Sequence, residues 1–195
     1  MRSLIFATVL MTASTAQFAA AETKSYELDP THTAVVFTVA HIDFADTLGI
    51  FGEVAGTFNY DMENQTLSDV AVTIQADSVN TFLKSRDEHV TNKDFLDVKN
   101  HPEITFTASA GAAANDTSGT VTGDLTILGQ TQPVTLDVTL NKAAAYPFGH
   151  KRFVLGLSLE TVIKRSDFGM EYGVANGLVG DEVAIKIETE AMQME

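Results

Sequence analysis

Cysteine is absent from all 195 residues, and this gap closes several routes at once. No disulfide, thiolate nucleophile or thiolate-ligated metal site can form, and an N-terminus anchored through a lipidated cysteine is excluded. Basic residues are scarce: 12 Lys and Arg stand against 26 Asp and Glu, a formal charge of −14. Phosphate groups are gripped by clustered Lys and Arg, so a nucleic acid or other polyanion is the wrong partner for this surface. The acidic excess favours a soluble, well-dispersed protein. Nucleophile elbow, phosphate loop and metalloprotease helix are all missing. Ser85, Ser166 and the histidines could form a triad only if the fold assembled it. His32, His41, His89, His101 and His150 do not show the paired spacing of zinc sites, although three could converge in space. These absences argue against an enzyme, and no catalytic residue, catalytic cofactor or metal ligand is assigned.

Long hydrophobic runs are also lacking. The one apolar stretch, residues 4–11, is too short for a membrane span of roughly 20 residues. It follows Arg2 and precedes Ala19-Ala20-Ala21, so residues 1–21 have the three parts of a secretory signal peptide, with cleavage expected before Glu22. Its removal takes Arg2 with it and makes the exported chain one unit more negative. The expectation is a periplasmic protein whose residues 22–195 form a single domain. No repeat or low-complexity tract divides them.

What is present is alternation. Val35, Phe37, Val39 and His41 fall on one face of a strand, and Val54, Gly56, Phe58 and Tyr60 on one face of the next. Six further runs follow, centred near residues 73, 106, 124, 137, 156 and 186, among them Phe106, Leu125 and Leu157. Eight such strands joined by turn residues, with no amphipathic helix long enough to cover an open sheet, predict an all-β fold. Short consecutive connections favour an eight-stranded antiparallel up-and-down barrel, whose closure removes exposed strand edges. Residues 111–119 read as a small polar loop and residues 141–151 as a longer crossing. A barrel of this size holds either packed side chains or one small ligand. Strands of about ten residues tilted at about 40° leave a lumen some 25 Å tall, which suits a long, thin apolar molecule. Gly56, Gly123 and Gly156 either open that lumen or relieve a barrel corner.

One segment breaks the alternation. Residues 85–106, SRDEHVTNKDFLDVKNHPEITF, hold helix-forming charges, His89, His101 and the aromatic Phe95. Asn80, Thr81 and Ser85 stand where helix caps are expected. Arg86 admits two roles, either locking this insert onto the barrel or, with His89, donating to a ligand headgroup at the mouth. Arg165, Asp167 and Phe168 form a second polar-aromatic cluster, equally suited to lock a turn or to line the mouth.

The segment Arg86-Asp87-x-His89, Asp94-Phe95 and His101-Pro102-x-Ile104-x-Phe106 resembles the signature of the YceI-like family. Tyr26-x-x-Asp29-x-x-His32 with His41, residues 49–58 (GIFGEVAGTF), Gly123-x-Leu125-Thr126-Ile127-x-Gly129, and Arg165-x-Asp167-Phe168-Gly169-Met170 resemble its other motifs, in family order. Thr33 stands where the family often has serine. The resemblance runs from about Tyr26 to Ala191 and implies a secreted, lipocalin-like barrel that binds an isoprenoid lipid. On that basis the expected ligand is a quinone tail or polyprenyl chain, carried in the lumen. Its expected contacts are Phe37, His41, Phe58, Arg86, His89, Phe106, Leu125, Leu157, Arg165 and Phe168. Transient membrane contact for ligand exchange and a homodimer are further expectations. The alternatives are an enzyme or redox helper acting on such a lipid, or a stress-response binder of fatty acids or amides.

Overall fold

The computed structural model describes residues 22–195. The expected signal peptide, residues 1–21, lies outside the described residues. Alternation carries the chain through twelve strand segments that combine into eight long strands. β1 (Lys24–Leu28) and β2 (Ala34–His41) are two halves of the first, and β3 (Ala45–Phe51) and β4 (Val54–Asp61) of the second. β5 (Thr66–Gln75) continues through a 3-10 turn, Ala76–Ser78, into β6 (Val79–Asn80). β7 (Glu103–Ala108) continues as β8 (Ala112–Asn115). β9 (Ser118–Ile127), β10 (Gln130–Ala145), β11 (Phe153–Lys164) and β12 (Val179–Gln193) complete the set. Each pairs antiparallel with its predecessor, and β12 returns to pair with both halves of the first strand. The sheet therefore closes as an eight-stranded antiparallel barrel, as the alternation predicted.

The break in the first strand has a local cause. Pro30 has no N–H to give to a ladder. Beside it the Asp29 side chain folds a turn, accepting from the Thr31 N–H at 2.8 Å. Pairing to β12 spans the interruption, because the Asp29 N–H donates to Glu190 O at 2.8 Å. The half-strand β1 lies upstream of the expected first strand. It contributes Tyr26, whose ring stacks on Phe58 of β4 at 5.3 Å between centroids.

Two connections differ from expectation, as do the caps of the short helix that the insert was expected to hold. Residues 111–119 are not a loop: β8 pairs with β9 and only Asp116 and Thr117 turn the chain, because small residues fit a strand as readily as a loop when a partner edge is adjacent. The supposed crossing at 141–151 begins as strand, since β10 runs to Ala145 after a register shift between Leu140 and Lys142. Gly156 of β11 sits opposite that shift. The insert contains one short helix, α1 (Lys84–Val90), followed by turns. Its N-cap is Leu83, without a side-chain cap. Thr81 is occupied elsewhere, because its N–H and its hydroxyl both donate to Asp87 Oδ1 at 2.6 Å.

Glycine serves packing more than space. A Cβ at Gly123 would lie 2.6 Å from Cζ of Phe106, whose ring fills the gap. Phe37 covers Gly49 of its partner strand in the same way. At Gly56 the room is taken by Val72 and Leu28.

Candidate functional site

Because the side-chain period is two, the pairing registers carry one face around the whole barrel. Val72 lies opposite Phe106, and Phe106 opposite Leu125. Farther round, Leu159 lies opposite Ile187 and Ile187 opposite Val35. These faces surround an apolar cavity of about 560 Å³, within the range of roughly 300–1,000 Å³ that ligand pockets occupy. The barrel is thus hollow. Its floor is a buried cluster of Tyr26, Phe58, Leu155 and Ala191, at the end where β1 begins and β12 finishes. On one side the cavity reaches between β5 and β8, where Gln65 Nε2 donates to Asp116 Oδ1 at 3.2 Å.

The opposite end is the mouth. It is built from the β2–β3 turn, the insert, and the connection from β11 to β12. Insert and connection meet through three aromatic rings. His89 packs edge-on against Phe95 at 5.0 Å and against Tyr172 at 5.1 Å, while Phe95 and Tyr172 lie 5.2 Å apart. Asp94 Oδ2 is 3.4 Å from His89 Nε2 and steadies the imidazole. Tyr172 escaped the reading of the sequence; its only signal was an aromatic within the glycine-rich C-terminal turn.

The ten residues expected to contact ligand all border the cavity, but in different ways. Phe37, Phe106, Leu125 and Leu157 belong to the wall. Phe58 forms part of the floor, and Phe168 is fully buried beneath the mouth. His41 stands exposed at the rim, where β2 ends.

The two arginines divide the roles that the sequence left open. Arg165 is 3 % exposed. Its guanidinium donates to the carbonyls of Gly180, Met170, Tyr172 and Val179 at 2.7–2.8 Å. Four of five donors are thereby spent on main chain, so Arg165 locks the β11–β12 connection and has little left for a headgroup. Burial pushes its pKa down, against the opposing charge of Asp181. Arg86 donates from Nε to Thr81 Oγ1 at 2.9 Å and from Nη2 to Thr81 O. It therefore locks the insert through Thr81 rather than through a carboxylate. Among the described residues its Nη1 donates no hydrogen bond, and the side chain borders the cavity.

Outside the lumen, Asp29, His32 and Glu190 bring one donor atom each to within 4.8 Å of one another, the one such grouping among the described residues. His32 Nδ1 lies 2.8 Å from Asp29 and 3.8 Å from Glu190. Burial alone would raise the Asp29 pKa. Hydrogen bonds from His32, the Thr31 hydroxyl and the Thr31 N–H outweigh it and hold the carboxyl at about 2. Its oxygens are thus committed to the turn that splits the first strand.

Residues 26–191 match the YceI-like domain. Protein YceI of Shigella flexneri is 34 % identical over 192 residues, covering 97 % of this chain and 95 % of that one. The crystal structure of Burkholderia cenocepacia BcnA is similar at a TM-score of 0.75 and 28 % identity, covering 85 % of this chain and 99 % of that one. A structure described as a polyisoprenoid binding domain from Saccharophagus degradans shares the fold at a TM-score of 0.63 and 15 % identity, covering 88 % of this chain and 99 % of that one. Motifs in family order, a domain match across nearly the whole barrel and a shared architecture lead to one conclusion: the chain belongs to the YceI-like family.

Proposed function

We propose that this protein binds one long isoprenoid lipid, a quinone tail or polyprenyl chain, in its barrel lumen and carries it through the periplasm after export and cleavage before Glu22. The observation that carries the reading is the hollow, apolar-walled cavity of about 560 Å³. Burying apolar surface contributes about 25 cal/mol per Å², so roughly 600–800 Å² of a long chain contributes about 15–20 kcal/mol, from which the costs of association are subtracted. The shared fold with the polyisoprenoid binding domain from Saccharophagus degradans favours an isoprenoid over other apolar chains. At the mouth, Arg86 Nη1, which donates no hydrogen bond among the described residues, and the His89 ring would hold a carbonyl or hydroxyl headgroup.

The test is native mass spectrometry of the periplasmic protein, before and after delipidation and reloading with a quinone or polyprenol. The expected species starts at Glu22 and carries one lipid. Leu125→Trp and Leu157→Trp should lower occupancy more than they lower Tm. Arg86→Ala also removes the Thr81 lock, so it should weaken a headgroup-bearing lipid by roughly tenfold to a hundredfold more than a headless hydrocarbon of equal length. Absence of any copurifying lipid, together with no uptake on reloading, would overturn the reading.

A further inference from the structure

Among the described residues, most of the large apolar side chains left in solvent lie towards one end, while Met62, Phe148 and Met194 lie at the other. Phe44 is 89 % exposed and Phe82 is 70 % exposed, and Ile42, Leu48, Leu83 and Leu178 are exposed beside them. Ile42, Phe44, Phe82, Leu83 and Leu178 belong to the mouth, and Leu48 lies on β3 below the turn. Ile42 and Phe44 form the β2–β3 turn, and the Ile42 N–H donates to Leu178 O at 3.3 Å. Phe82 and Leu83 follow Asn80, which pairs with Ile50 of β3 on the turn's other flank. The result is an arc of apolar tips around the opening.

The backbone beneath two of these tips is held in an unfavourable conformation. Ile42 and Asp43 have φ of 51° and 54°, and Phe82 has φ of 67°. A β-branched or bulky residue at positive φ is an outlier, and glycine or asparagine would relax it. Asn80 Oδ1 accepts from the Phe82 N–H at 2.8 Å and fixes that turn. The chain thus keeps large apolar groups where both solvent and backbone disfavour them, a pattern that points to use.

We infer that this arc is a docking surface for the face of a zwitterionic phospholipid bilayer, seating the barrel mouth-down so that cargo passes between membrane and lumen without crossing water. The inference rests on the proposed cargo for its purpose, and on the rim itself for its partner. Leu178 and Tyr172 both border the cavity and are exposed, so they link the apolar lumen to the rim. Charge selects the kind of bilayer. The chain carries −14 overall, and Asp43 stands at the tip between Ile42 and Phe44, so an anionic surface repels it.

The test is co-flotation of the delipidated protein with phosphatidylcholine vesicles, and with vesicles in which part of the lipid is phosphatidylglycerol. Partitioning of the empty protein needs no cargo, so its outcome is separate from that of the lipid-occupancy measurement. Wild type is expected to float with the zwitterionic vesicles and less with the anionic ones. Phe44→Ser and Phe82→Asn should each weaken flotation by roughly tenfold. Phe148→Ser, which removes an exposed phenylalanine at the opposite end, should change nothing. Phe82→Asn guards against misfolding, because asparagine tolerates the left-handed backbone and should leave Tm unchanged or raised. Transfer of a fluorescent polyprenol from vesicles should slow in the rim variants, while occupancy after loading from ethanol stays at the wild-type level. Flotation of Phe44→Ser and Phe82→Asn equal to wild type would overturn the inference, as would a wild type that stays unbound. A concentration-dependent dimer that these two substitutions dissolve would overturn it in favour of a second copy of the chain.

Discussion

Asp29 shows how one side chain can organise a junction far from the lumen. Its carboxyl is held at about 2, against roughly 3.9 in an unfolded chain. The unfolded chain therefore binds more protons between those values, and the stabilisation, complete above about pH 4, is lost as pH falls towards 2. His32 runs in the opposite sense. Its hydrogen bond to Asp29, opposed by partial burial and helped by the charges of Glu190 and Asp29, raises its pKa. That contribution is complete below about pH 6.5 and fades as pH climbs through the raised value. The pair works best in the window between. Urea midpoints of wild type and Asp29→Asn measured from pH 7 to pH 2 should differ near pH 5 and converge in acid. A gap that stays constant down to pH 2 would show that Asp29 ionisation does not support the fold. Arg165 teaches a related point about roles: a charged residue in a family motif can spend nearly all its donors on carbonyls, as its four bonds show.

At the scale of elements, aromatic rings and glycines on neighbouring strands act together. Phe106 of β7 lies over Gly123 of β9, and Phe37 of β2 over Gly49 of β3. Each ring covers an inward place where its neighbour has no side chain, which fixes the ring's direction along the wall. Gly123→Ala would press a methyl against Phe106 Cζ and the Thr107 carbonyl. Overpacking of this kind costs about 1–3 kcal/mol. Chemical denaturation should show that loss in the single variant and partial recovery in Gly123→Ala with Phe106→Leu. A neutral Gly123→Ala would mean that the ring is free to move aside. The glycines were visible in the sequence as gaps in an alternating pattern, but what fills each gap depends on register between strands. Likewise the insert was legible as helical and charged, whereas the partners of Arg86 and Asp87, both centred on Thr81, were not.

For the molecule as a whole, closure is the decisive event. β1 joins β4 on one side and β12 on the other, bringing Tyr26 opposite Phe58 and Gln193. Tyr26 is also the largest of the fully buried side chains and seals the floor beneath the cavity. Tyr26→Ala should therefore cost about 3–5 kcal/mol and should speed amide exchange along β1 and the facing end of β12. Exchange and stability close to wild type would place the seam elsewhere.

Alternation by itself determined the number of strands and the face each side chain occupies, since period two is a local property of extended backbone. From it followed an eight-stranded barrel, hollow or filled with side chains, and from motif order the family. Composition alone also set the acidic surface and excluded thiol chemistry. Only the tertiary structure decided which groups satisfy one another across the chain. The Thr33 and Thr189 hydroxyls bond at 2.6 Å across 156 positions, and Arg165 spends its donors on carbonyls up to 15 residues away. Local periodicity fixes which way a side chain points; what it meets there depends on the path that brings a distant strand alongside. The same reason hid the rim: Ile42, Phe44, Phe82 and Leu178 are far apart in sequence and become one surface only when the barrel closes.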